Sequence, residues 1–135
     1  MIRAWHFVNK TLRDGRPIPP DGKWLECKGT LVMCESGLHA SRDAWDALSY
    51  APGATLCLVD CDGDVVEQND KLVCSRRRIV TRMDFTEPLR YFARMQALSV
   101  VHLWDAPDVV LNYLMTGDES IRDAARAAAW AAGRD

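Results

Sequence analysis

Two stretches in the middle of the chain decide the fold: TLCLVDC at residues 55–61 and KLVCSRRRIVTRM at residues 71–83. The first is a mostly apolar run and the second alternates, and both patterns are typical of β-strands. Asp62-Gly63 follows the first run, and this dipeptide between β-prone segments predicts a hairpin turn before a strand over residues 64–67. The centre of the chain is therefore expected to be a sheet.

The residues on the amino-terminal side continue the sheet pattern. Residues 3–9 are rich in aromatic and branched side chains, and short strands also fit residues 23–27 and 30–34. Three prolines and two glycines in residues 13–22 predict a long loop. A helix is expected over Arg42–Tyr50, with Ser41 as its N-cap and Pro52-Gly53 ending it.

The pattern changes from strand to helix after Asp84. Thr86-Glu87-Pro88 is typical of a helix start, a short helix follows through Met115, and the final helix covers Glu119–Ala132. We predict one α+β domain over residues 1–135, with a sheet-rich part at 1–84 and a helical part at 85–135. The sheet is expected to be small, mixed or antiparallel, and accompanied by one short helix.

Composition excludes several classes of protein. The chain has 135 residues, 48% of them hydrophobic, and a formal net charge of −2. This composition excludes wholesale disorder, and the near-neutral charge argues against a general nucleic-acid coat. No apolar stretch approaches the roughly 18–20 residues of a membrane-spanning helix, and no signal-peptide pattern follows Met1. We expect a cytoplasmic protein without a membrane contact.

The five cysteines predict free thiols rather than a metal centre. Their odd number without a secretion signal indicates a reducing compartment. A zinc site that includes His39 is the alternative, but the cysteine spacings are poor for zinc and no Cys-x-x-Cys occurs. We therefore expect buried thiols and no metal. The cysteines are Cys27, Cys34, Cys57, Cys61 and Cys74.

A cluster of arginines is the candidate partner-binding surface. Guanidinium groups suit phosphates and carboxylates, so the partner is a protein surface or a nucleic acid. Alternation places Arg77 on the opposite face of the strand from its neighbours. The other interpretation is an edge strand protected by charge, whose arginines pair with the acidic residues at 60–70. The cluster comprises Arg76, Arg77, Arg78, Arg82 and Arg90.

Cys34-Glu-Ser-Gly-Leu-His-Ala40 resembles the core motif of an uncharacterised family widespread in phage and prophage genomes, Cys-x-x-Gly-(Phe/Leu)-His-Ala. The opening Trp5-His-Phe-Val-Asn-Lys10 and Trp24 also match that family. The resemblance implies a cytoplasmic protein of a bacterial host that binds a host or phage macromolecule. Inhibition of a host defence system, as by an anti-CRISPR protein, is one form of this function. Trp5, Trp24 and Trp104 are candidate anchors for the partner.

Residues 37–59 are also similar to the NAD-binding half of ADP-ribosyltransferases, in which a strand, a helix ending in tyrosine and another strand follow each other. This resemblance implies that His6, Gly37, Ser41 and Tyr50 bind NAD, and that His6, His39 and Tyr50 are the catalytic candidates. The family's catalytic glutamate has no counterpart in residues 71–83. An NAD-dependent ADP-ribosyltransferase or an RNA phosphotransferase is therefore the alternative, and a binding protein without cofactor is preferred.

The final helix bears on oligomeric state. Residues 119–132 are rich in alanine, which favours helix formation but leaves little side-chain area to bury. We expect this helix to pack on the helix at residues 86–104 or on a second copy of itself. The second arrangement would produce a weak homodimer.

Overall fold

The computed structural model describes residues 1–133, and it is α+β as predicted. The chain divides into two compact units, a sheet unit over Met1–Thr86 and a helical unit that begins at Glu87. This boundary lies within three residues of the predicted change at Asp84. In chain order the elements are β1 (Ile2–Val8), β2 (Trp24–Glu26), β3 (Leu38–Ala40), α1 (Ala44–Leu48), β4 (Thr55–Glu67), β5 (Leu72–Asp84), α2 (Thr86–Val100), α3 (Asp108–Thr116) and α4 (Arg122–Ala132).

The five strands form one antiparallel sheet that closes on itself. The order is β1-β4-β5-β2, and β3 pairs with the same edge of β5 as β2 does. Ser41 directly follows β3 and pairs with Trp5 of β1 through two backbone hydrogen bonds of 2.7 and 2.9 Å. Because β1 thus contacts β4 on one side and the end of β3 on the other, the strand pairings form a ring. We call this ring the closed sheet.

The predicted hairpin at Asp62-Gly63 is wrong, because β4 runs through this point without turning. A bulge lies between Asp62 and Val65, and Gly63 adopts a φ of 73° there. A Cβ on Gly63 would lie 2.2 Å from the hydroxyl oxygen of Ser75 on β5, so this position requires glycine. The chain turns instead after Gln68, whose N–H donates to the carbonyl of Lys71 over 2.8 Å.

Three further local expectations differ from the structure. β5 is an interior strand, flanked by β4 on one side and by β2 and β3 on the other, so it is not an edge strand. Residues 30–34 form a turn held by a bridge between Val32 and Ser36 rather than a strand. The N-cap of α1 is Asp43, whose carboxylate accepts from the N–H of Trp45, because the backbone of Ser41 is engaged with β1.

The core of the sheet unit lies inside the closed sheet. Alternate residues of β4 point inward, and Cys57, Val59 and Cys61 are completely buried. Opposite them, the register places His6 of β1 beside Cys57 and Arg77 of β5 beside Cys61. A histidine and an arginine therefore share the inner face with apolar side chains and thiols.

The helical unit is held together by far fewer buried side chains. Its described residues include two that are buried, Val110 on α3 and Ala125 on α4. The alanine-rich α4 packs chiefly against α3, which differs from the predicted packing on the helix at residues 86–104. Gly117 ends α3 with a φ of 68° and donates to the carbonyl of Tyr113. Within residues 1–133, none of the helices has the length and apolarity needed to cross a membrane.

Candidate functional site

The Cys-x-x-Gly-Leu-His motif forms a tight loop that leads into β3. The backbone N–H of Cys34 donates to Nε2 of His39 over 2.9 Å, and the carbonyl of Cys34 accepts from Arg13 over 2.8 Å. Cys34 has a φ of 66°, and among the described residues it is the one non-glycine residue with a positive φ. The histidine of the motif thus holds the cysteine in a left-handed conformation that costs about 1–3 kcal/mol.

Gly37 is required in this loop on steric grounds. Its φ is 117°, and a Cβ at this position would lie 2.2 Å from Cγ2 of Val73 on β5. Val73 is completely buried, so its side chain cannot turn out into solvent to make room. The next residue, Leu38, enters the core as the first residue of β3. The motif therefore encodes the close packing of this loop on β5.

His39 is neutral at physiological pH and is engaged on both sides of its ring. Burial lowers the pKa of His39, and the positive charges of Arg77 and Arg13 lower it further. A hydrogen bond with the backbone of Gly37 opposes this decrease in pKa. Since the second ring nitrogen accepts from Cys34, His39 acts here as the residue that organises the loop.

His6 and Arg77 are the polar residues of the inner face. Burial holds the pKa of His6 well below its usual range, and the charges of Arg77 and His39 contribute to the same decrease. Arg77 has 4% of its surface exposed, and its Nη1 donates to the backbone carbonyl of His39. The structure therefore brings His6 and His39, the two predicted histidines, close to the same buried guanidinium.

Tyr50 lies at a more exposed position after α1. Its hydroxyl is hydrogen-bonded to Asp70, which raises the pKa of Tyr50, and Nζ of Lys71 lies 3.5 Å from the same oxygen. Lys71 also approaches the ring face at 4.9 Å and is hydrogen-bonded to the Cys34 side chain, which raises the pKa of Lys71. Lys71 thus connects Tyr50 to the motif loop, a connection that sequence analysis missed because lysine carried no motif of its own.

All five cysteines are free thiols, as predicted from their number. Cys57, Cys61 and Cys74 are buried, and burial raises the pKa of Cys57. Hydrogen bonding with Cys74, together with burial, strongly raises the pKa of Cys61. Cys34 is exposed and Cys27 is half-buried, so the prediction of buried thiols is wrong for these two residues. In the described part of the chain, His, Cys, Asp and Glu side chains form no group of three or more suited to a metal ion.

The remaining arginines of the predicted surface have acidic partners. The carboxylate of Asp60 is 1% exposed and accepts from Arg3 over 2.7 Å and from Arg78 over 3.0 Å. Although burial opposes its ionisation, these hydrogen bonds keep the pKa of Asp60 below its usual value. The other pairs connect Arg76 to Glu26 and Asp62, Arg82 to Asp21, and Arg90 to Glu87 and Glu119.

Arg76 pairs with Asp62 and Arg78 pairs with Asp60, as the interpretation of charge-paired strands predicts, although β5 is not an edge strand. Trp24 is half-buried and lies across the guanidinium groups of Arg76 and Arg78, at 4.7 and 4.8 Å. The predicted partner-binding arginines do not form one cationic surface, because Arg77 points inward. Alternation of the strand was the sequence signal that separated Arg77 from the others.

Exposed large hydrophobic side chains are denser on the helical unit, which has seven of them in residues 87–133, while the sheet unit has seven in residues 1–86. Leu103 is 74% exposed, Met115 70% and Trp130 69%, and Trp104 is 42% exposed. α2, with 15 residues, contains no buried residue. Of the four exposed side chains given above, the sequence analysis names Trp104 alone as a candidate anchor. Exposure of the other three depends on how the helices pack, which local sequence does not show.

Comparison with known proteins gives a family without an assigned activity. No curated protein and no solved structure matches the chain. One family model, described as a domain of unknown function, matches residues 2–90 and so covers the sheet unit and the start of α2. The chain therefore belongs to the family of this domain of unknown function, DUF7666.

Proposed function

We propose that the protein acts by binding a host or phage macromolecule, with a protein as partner and the helical unit as the contact surface. The observation that carries this proposal is the exposure of Leu103, Met115 and Trp130, each about 70% exposed or more. Exposed large apolar side chains are candidate anchors for a partner, and tryptophan is enriched among residues that dominate binding energy.

The weak core of the helical unit supports the same proposal. Helices gain most of their stability by burying an apolar face, since short helices are marginal in water. Here α2 buries none of its 15 residues, and the buried residues of the described helical unit are Val110 and Ala125. A partner that covers these helices would supply the missing burial.

The arginines have a smaller part in this proposal than the sequence suggested. Arg76, Arg78 and Arg82 are engaged by acidic side chains of the same unit, so they offer a partner little free positive charge. Such surface charges chiefly influence orientation and association rate. This arrangement favours a protein partner over a nucleic acid. Inhibition of a bacterial defence system in the host cytoplasm is one form that the binding would take.

The test compares partner capture by matched variants. Tagged protein is purified from a bacterial host, any stoichiometric partner is identified, and its dissociation constant is measured with purified components. We expect Trp130→Ala and Leu103→Ala each to weaken binding about tenfold, the usual effect of removing an interface anchor. The control Val66→Ala removes a side chain that is 45% exposed on the sheet unit and should change binding less than twofold, about 0.4 kcal/mol. Equal binding by all variants would reject the proposal.

A second candidate is an NAD-dependent ADP-ribosyltransferase or RNA phosphotransferase. The observation that favours it is the proximity of His6 and His39, the two histidines implied by the resemblance, to one buried arginine. Gly37 lies directly before β3 and Ser41 directly after it. Thermal unfolding with millimolar NAD tests this function, since a ligand at 100 times its dissociation constant stabilises by about 2.7 kcal/mol. Tyr50→Ala should abolish the stabilisation, and an unchanged melting temperature of the parent protein would reject it.

A further inference from the structure

One face of α4 is left uncovered by the described residues of its own chain. The helix packs chiefly against α3, and Ala125 is its buried residue. On the opposite side, Asp123, Ala127 and Trp130 are exposed and follow each other at the spacing of one helix face. Arg126, also exposed, lies next to them. We call this surface the outer face of α4.

The outer face of α4 carries one acidic and one basic side chain, and both lack an ionic partner. Within residues 1–133, every ion pair of the helical unit contains Arg90 or Glu119, and none involves Asp123 or Arg126. Because Asp123 and Arg126 are three residues apart, a second α4 that runs in the opposite direction can place its own arginine beside the aspartate and its own aspartate beside the arginine. The face is therefore complementary to itself in charge, as a two-fold dimer requires.

The other side chains of the outer face suit close contact between helices. Ala124 and Ala127 are exposed and small, so a second helix can approach the backbone. Trp130 is 69% exposed and lies about one turn beyond Arg126. Helical side chains lean toward the N-terminus of their own helix, so in a pair that crosses between Asp123 and Arg126 the tryptophan covers the first turn of the other helix. Pairing thus buries apolar surface that a single α4 leaves in water.

We propose that two copies of the chain form a weak dimer in which the outer faces of α4 pair in antiparallel orientation. A cationic partner would be repelled by Arg126 and an anionic one by Asp123, whereas a second copy matches both charges. Exposed ion pairs add little affinity, so they chiefly fix the orientation, and Trp130 supplies the main apolar contact.

This proposal does not rest on the proposed function, because it requires no other protein. The second copy and the partner of that function compete for Trp130. The dimer is therefore the form that the protein adopts without its partner.

Sedimentation equilibrium of the full chain measures the dissociation constant of the dimer. We expect the parent protein to change from monomer to dimer as its concentration rises. Asp123→Arg and Arg126→Asp each replace both ion pairs by contacts between like charges and should weaken the homodimer at least tenfold. The control Glu35→Arg makes the same charge change as Asp123→Arg at an exposed residue of the sheet unit, and it should leave the dissociation constant unchanged. Trp130→Ala should weaken the dimer about tenfold.

A mixture of the two charge variants separates pairing from a folding defect. The Asp123→Arg protein has two positive charges on the outer face and the Arg126→Asp protein two negative ones, so a mixed dimer regains both ion pairs. We expect the mixture to associate at least as tightly as the parent protein, at a concentration where each variant alone is monomeric.

Three results would overturn the proposal. The first is a parent protein that remains monomeric up to about 1 mM, which would leave the outer face to a foreign partner. The second is a dimer that neither charge variant weakens. The third is a mixture of the two charge variants that does not associate.

Discussion

Substitution of Gly37 by alanine tests whether the motif loop is specified by steric packing. The added Cβ would lie 2.2 Å from Cγ2 of Val73 and 3.0 Å from Cδ2 of Leu31. Val73 is completely buried, so relief requires movement of β5 or of the loop. Overpacking of this kind costs about 1–3 kcal/mol, and the positive φ adds about 1–3 kcal/mol. We expect a total loss of about 2–6 kcal/mol, a large part of the stability of a small domain.

Gly29 provides a matched control for this substitution. Its φ is 128°, close to the 117° of Gly37, but no atom lies within 4 Å of the added Cβ. Gly29→Ala should therefore lose about 1–3 kcal/mol from backbone strain alone. Urea unfolding, followed by circular dichroism, gives both free energies by linear extrapolation. Equal losses in the two variants would refute the steric explanation.

Two other changes test the electrostatics of the sheet unit. Asp60→Ala should lower the free energy of urea unfolding by about 2–3 kcal/mol, because it removes a buried carboxylate whose arginine partners can still reach water. Asp62→Ala should lower the free energy of unfolding by less than about 1 kcal/mol, since the ion pair between Asp62 and Arg76 is exposed. Similar losses in the Asp60 and Asp62 variants would contradict this account. The pKa values of His6 and His39 are lowered in the folded state, so their stabilisation is complete above the unfolded value of about 6.5 and decreases as pH falls. Between pH 7.5 and 5.5 the urea midpoint should decrease, and His6→Asn should reduce this decrease.

The sequence predicted the strands better than their arrangement. Alternation in residues 71–83 located β5 and separated Arg77 from its neighbours, because alternation depends on local residues alone. The pairing of β5 with β2, β3 and β4 places the face of β5 that carries Arg77 in the interior. Those pairings join residues far apart in sequence and leave no local signal.

The Asp62-Gly63 dipeptide shows the same limit at one position. A hairpin turn and a bulge both use glycine at positive φ, so local sequence does not distinguish them. The position of Ser75 on the paired strand β5 distinguishes the bulge from a hairpin turn, since its hydroxyl occupies the space that a side chain at Gly63 would need. Likewise, sequence motifs indicate the histidines of the candidate site, but the influence of one buried arginine on both of them follows only from the closed sheet.

Hydrogen exchange on a purified complex tests the central claim, partner binding by the helical unit, most directly. The partner is the protein captured in stoichiometric amount, and exchange of backbone amides is measured by mass spectrometry with and without it. If the helical unit is the contact surface, amides of α2, α3 and α4 should exchange at least tenfold more slowly in the complex, while those of β1 and β4 change little. Slower exchange confined to the strands, with the helices unaffected, would contradict the claim.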